Sequence, residues 1–149
     1  MSLYRQEIGK KLNTLLKKTY DAEKGYHKAA ERAKTPNLKV FFERKSKERN
    51  AFAQALKSEL AHYGQEADTT GSPTGSMHRA WMDIKAFLSE DNDKSMLEET
   101  ITGEKSVVKE YRQVLQEKDI PSSTSLLLQH QMGIIENDLT EVTTLDDLS

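Results

Sequence analysis

Four glutamates stand where the surrounding spacing calls for apolar side chains. Glu104 is the clearest, because it falls on the line 97-101-104-108-111-115, whose other members are Leu97, Ile101, Val108, Tyr111 and Leu115. Glu48 lies on the line 41-45-48-52-55 between Phe41 and Phe52, Glu23 lies between Thr19 and Tyr26, and Glu136 flanks Ile135. A charge on an apolar stripe is costly unless it is paired, hydrogen-bonded or metal-bound. Carboxylates gathered in one place bind hard or borderline divalent cations, so a meeting of these four would suit iron, manganese or zinc. Tyr26 and Tyr111 would then stand behind the ligands as hydrogen-bond partners. A second expectation needs no metal. In it Glu104 is a buried acid held by Tyr26, Tyr111 or a lysine, with its pKa raised by burial. Glu23, Glu48 and Glu136 are then flank glutamates reaching water. Glu43 competes with Glu48 for the site position.

The elements that must position these acids read as helices. Ile8, Leu12, Leu15, Leu16, Thr19, Tyr26 and Ala30 recur at spacings of 3 and 4, one apolar stripe on a helix over about 5–33. Thr35-Pro36 follows as an N-cap with proline at the first helical position. The second helix runs over about 36–63 with Leu38, Phe41, Phe42, Phe52, Ala55, Leu56 and Tyr63, and Gly64 is placed to stop it. A long loop, 64–76, precedes a short amphipathic helix over about 77–88, where Trp81 and Phe87 would clamp it to the rest. A third long helix is expected over about 92–118, broken by Ile120-Pro121. A fourth spans about 122–143 with Leu127, Leu128, Met132, Ile135, Leu139 and Val142. No stretch alternates with the period of a half-buried strand.

Short links make antiparallel neighbours, so the pattern is two helix hairpins joined by a long crossover. Residues equidistant from a hairpin's pivot lie level with each other. A pivot near 35 sets Glu23 opposite about 47, beside Glu48, and a pivot near 120 sets Glu104 opposite Glu136. Each hairpin would thus bring two glutamates to one height.

Composition agrees with one all-α domain spanning 1–149, a size that buries a sizeable core without disulfides. The chain has no cysteine and a net charge of only −2 with 31% charged residues. Nothing in it favours nucleic acid or an anionic membrane. No run approaches the ~18 apolar residues of a membrane span, and the N-terminal residues lack the apolar core of a signal peptide, so a cytoplasmic protein is expected. Glu59-Leu60-Ala61-His62 is a literal Glu-x-x-His, but it falls at the end of its helix, several turns from Glu23, and reads as structural. His27 and His78 read as surface or packing residues, and His130 is two turns from Glu104.

One glutamate on each of four helices, in two hairpins with a crossover, resembles the di-iron proteins ferritin, bacterioferritin and rubrerythrin. Those families usually add a histidine in Glu-x-x-His on the second and often the fourth helix. Here Glu48-Arg49-Asn50-Ala51 offers alanine and Glu136-Asn137-Asp138-Leu139 offers leucine. The chain also looks like a bacterial family of ferritin-like four-helix-bundle proteins without an assigned activity. That likeness is carried by LNTLL and KGYHKAAE in the first helix, Gly71–Trp81, and GEKSVVKEY at Gly103–Tyr111. It implies a ferritin-like four-helix bundle in a stress or housekeeping context.

Two function classes follow. One is a ferritin-like protein binding a divalent metal through Glu23, Glu48, Glu104 and Glu136. The other is a non-enzymatic stress or scaffold protein that forms a homodimer, with Tyr20, Val40 and Val107 off the main stripes as its apolar contacts.

Overall fold

The computed structural model describes residues 3–67 and 93–147. Four helices run in chain order: α1 (Leu3–Arg32), α2 (Pro36–Ala61), α3 (Asp93–Leu115) and α4 (Ser122–Asp147). No strand occurs among the described residues. The expected short helix over 77–88, with Trp81, Phe87 and His78, lies outside them.

Local chemistry sets the ends. Thr35 takes the extended N-cap conformation before Pro36, but its side chain caps nothing in α2. Its hydroxyl instead donates to Asp93 Oδ2 at 2.7 Å, and Asp93 also accepts the Lys34 and Thr35 amides. The first residue of α3 thereby pins the α1–α2 loop. At the other end, α2 closes through Gly64, whose φ of 65° is left-handed and suits a residue without Cβ. The following residues lie along α1: Arg5 donates to the His62 carbonyl, Gln65 to that of Gln6, and Asn13 to that of Glu66.

The α1–α2 and α3–α4 hairpins form as expected, and they meet with α1 against α3 and α2 against α4. Lys11–Glu117, Lys18–Glu110 and Thr35–Asp93 keep one antiparallel register between α1 and α3. Phe52–Gln131 and Thr124–Glu59 do the same for α2 and α4. Consequently α3 starts at the end of the bundle opposite to that where α2 stops, a crossover rather than an up-down topology.

The apolar core has two parts. One holds Leu12, Leu16, Leu56, Tyr111, Leu128 and Ile135. The other holds Tyr26, Phe41, Phe42, Met96, Leu97 and Val142. Between them, at mid-height, lies a layer of charge.

Candidate functional site

The layer is centred on a lysine. Lys45 stands on the stripe of α2 between Phe41 and Phe52 and is wholly buried. Its ammonium reaches a carboxylate on each of three helices: Glu48 of α2 at 3.0 Å, Glu104 of α3 at 2.9 Å and Asp138 of α4 at 2.7 Å. An ammonium has three protons and no acceptor, so these three partners satisfy it.

Arg49, one turn on, is buried to 2% exposure. One of its terminal nitrogens donates to both oxygens of Glu104 at 2.7 Å. Its plane lies between two rings, 5.5 Å from the Tyr26 centroid and 5.7 Å from that of Phe52. Lys45 Nζ lies 5.3 Å from the same Tyr26 ring, an arrangement that favours a cation over the ring face. Tyr26 stacks in turn on Phe42. At the rim, Arg44 donates to Asp138 at 3.2 Å and to Glu141 at 2.6 Å.

The electrostatics follow from these contacts. Burial pushes the Glu104 carboxyl up, but the Arg49 and Lys45 charges, with hydrogen bonds from Lys45 and Tyr26, hold it below the usual glutamate range. Asp138 is likewise raised by burial and brought below its ordinary value by a hydrogen bond from Glu48 and by Lys45 and Arg44. Glu48 goes the other way, to about 7, because burial and the hydrogen bond with Asp138 outweigh the Lys45 charge. Glu48 and Asp138 thus share a proton, which Glu48 carries. With Glu48 neutral, two cations face two carboxylates and the layer has no net charge. Burial first, then the Glu104 charge, lifts the Tyr26 phenol well above 10, so it stays a donor. Burial pushes Tyr111 up to about 12.

The four glutamates singled out by spacing fare differently. Glu104 is buried in the layer and Glu48 stands at its edge, both on Lys45. Glu23 has the expected height, beside Ser46 and Asn50, but its carboxylate meets Asn50 Nδ2 at 3.1 Å on the outside of the hairpin. Glu136 pairs with Arg112 at the surface, 3.3 Å away. Asp138 takes the inner position on α4 instead. The bond from the Tyr111 hydroxyl to Gln131 shows why: in that register residue 104 is level with 138, two residues beyond the expected 136. Among the described residues, no three of His, Cys, Asp and Glu form a group able to hold a metal ion. Glu104 is a buried acid held by a tyrosine and a lysine, as in the second expectation, but Arg49 stands on it as well, so its pKa is lowered and not raised.

Spacing alone did not single out Lys45, Arg49 and Asp138. The signal for Lys45 was present, since it interrupts the same line as Glu48, but a cation there reads as a solvated face. Glu59 of the Glu-x-x-His match is buried and accepts from Ser123 at 2.9 Å and Thr124 at 2.6 Å, while His62 is exposed. Glu43 is exposed and lines an open groove between α1 and α2 with His27 and Lys47.

No described helix is long and apolar enough to cross a membrane. No curated protein sequence matches the chain. In shape it is similar to a Dps1 point mutant of Mycobacterium smegmatis, with a TM-score of 0.78 over 98% of this chain and 99% of that one at 13% identity. At that identity the likeness shows the fold, a ferritin-like four-helix bundle. Residues 7–117 match the family model "Domain of unknown function (DUF2383)", and the chain belongs to that family.

Proposed function

We propose that this chain is a non-enzymatic ferritin-like bundle acting as a self-associating structural protein, closed at its middle by its own cations. The observation that carries this reading is the Lys45 ammonium within 3.0 Å of carboxylates from three helices. In the di-iron proteins the chain resembles, glutamates of four helices gather around metal ions; here acids of three helices gather around an ammonium. The donor set does not fit a resident metal. Both Glu104 oxygens are taken by Arg49 and one also by Lys45, while Asp138 is held by Lys45 and Arg44. Glu48 keeps its proton to about pH 7, and Ala51 and Leu139 stand where imidazoles would be needed. A substrate could not reach Lys45 without opening the bundle, because that side chain has no exposed surface.

The rival reading is a divalent-metal centre built from Glu23, Glu48, Glu104 and Glu136. One experiment separates the two: metal analysis of protein purified without chelator, with thermal unfolding before and after EDTA. The expected result is sub-stoichiometric metal and an unchanged Tm. Near-stoichiometric iron, manganese or zinc that disappears in Glu104→Ala overturns the proposal.

A further inference from the structure

The seam where the two hairpins meet has two edges. The α1–α3 edge is ionic, with Lys11 on Glu117 and Lys18 on Glu110. The α2–α4 edge is ionic at one end only, where Arg44 and Glu48 meet Asp138 and Glu141. Beyond that end the α2 side continues at helical spacing as Ala51, Ala55, Ser58 and His62. On α4, Glu141 and Ser123 both touch α2, and the positions between them at helical spacing are Asn137, Ile134, His130 and Leu126. The two lines lie side by side, because the Phe52 carbonyl accepts from Gln131 and Glu59 accepts from Ser123. Among the described residues, no exposed Asp, Glu, Lys or Arg stands on this stretch. Lys57 lies seven residues from Asn50, which faces Glu23, and so belongs to the α1 side. Glu136 is held by Arg112 of α3, and Glu59 is buried under Ser123 and Thr124.

The packing of the chain against itself does not call for such a face. The fifteen residues from Pro121 to Ile135 hold no Asp, Glu, Lys or Arg, in a chain of which 31% is charged. By contrast, α1 presents Lys10, Lys24 and Lys28 to solvent, and α3 presents Lys94, Glu98 and Lys105. Leu126 is 66% exposed, so it gains little from its own core. Gly133 stands in mid-helix, where glycine weakens the helix, yet a Cβ there would meet no described atom within 4 Å. With Ala51 and Ala55 it keeps this side of the bundle low, which suits the close approach of another backbone.

We propose that two copies of this chain pair through the uncharged stretch of the α2–α4 edge, around Ala55 and His130, about a two-fold axis. A surface that meets its own copy sets each charge near its equivalent, so it favours a face that carries none. The stretch is two helices wide and about 20 Å long, roughly 400 Å² in plan, at the small end of specific interfaces. The dimer is accordingly weak, with a Kd of about 1–100 µM. This rests on the self-association in the reading above and names its surface and its partner.

The test is sedimentation equilibrium of the full-length protein over about 10 µM to 1 mM, on the unaltered chain and on Leu126→Glu, Leu126→Lys and Ala51→Glu. The replaced residues are exposed, so each variant is expected to keep its helix content and, when dilute, its Tm. The expected result is a monomer–dimer equilibrium whose Kd rises at least about tenfold in all three variants and is unmoved by Lys28→Glu on α1. His130→Glu repeats the arm at a second exposed position of α4, so that a misfolded Leu126 variant does not decide the outcome. A dimer that survives substitution on either helix lies on another surface, which overturns this proposal and leaves self-association standing. Weakening by only one sign of charge at position 126 also overturns it, since a face that meets its own copy rejects both. A chain that stays monomeric throughout overturns the proposal and the self-association beneath it.

Discussion

Glu48 has the one carboxyl of the layer poised to change charge near neutrality, because burial and its bond to Asp138 raise it from 4.5 to about 7. A carboxyl raised on folding adds stability that is complete below about pH 4.5 and is lost as the pH climbs to about 7. Glu104 and Asp138, lowered on folding, act in the opposite sense, and their contribution is lost in acid. Stability should therefore peak in mildly acidic solution. Glu48→Gln keeps the donor toward Asp138 and removes the titration. It is expected to flatten urea-measured stability between pH 5 and 8 and to exceed the unaltered protein at pH 8 by about 2 kcal/mol. An unchanged slope would mean that another group carries the pH dependence. At this scale the sequence was half legible. Glu104 declared itself because an acid inside an apolar line has few innocent explanations. Lys45 did not, because a long cationic side chain usually reaches water. Only the fold shows that the direction from Lys45 toward solvent is closed by α3 and α4.

The helices themselves were read within a few residues at most ends, since stripe periodicity and the Thr35-Pro36 and Gly64 signals are local. The facing of α4 was read only in part: Leu128, Ile135 and Val142 of the expected stripe are buried, while Leu127, Met132 and Leu139 are half-buried. Its inner line is Thr124, Leu128, Gln131, Ile135, Asp138 and Val142, all buried. Polar residues stand on it seven apart, so the apolar pattern points to Leu127, Met132 and Leu139, which sit at the shoulder. Each polar residue finds a partner on the hairpin's neighbours or its own: Thr124 bonds Glu59 and Tyr63, Gln131 bonds Tyr111 and the Phe52 carbonyl, and Asp138 bonds Lys45. We read these levels as register marks. A slide of α4 by one turn would leave three polar groups buried without partners, at about 1–3 kcal/mol each. Gly103 on α3 has no such duty, and a Cβ there would meet nothing within 4 Å. Gly103→Ala should raise stability by about 0.5–1 kcal/mol through helix propensity, read as a higher urea midpoint at constant m-value.

Across the whole molecule, contacts within a hairpin join residues close in sequence, while the seam joins residues far apart, as with Lys11 and Glu117, 106 positions removed. Loop-closure entropy favours forming the hairpins before the seam. Arg44 reports on that order, since it links α2 to Asp138 and Glu141 of α4. Arg44→Gln should speed unfolding about fivefold and leave the folding rate nearly unchanged in stopped-flow chevrons. A folding rate that falls by the same factor would place the seam in the nucleus. The charge layer has a consequence beyond mechanics. A metal ion is borrowed from the cell and has to be found, loaded and retained, and an oxidant can alter it. The ammonium of Lys45 is delivered with every chain at translation and has no redox chemistry to offer. On the reading proposed above, a bundle closed in this way is expected to mature at the same rate in a starved cell as in an iron-rich one.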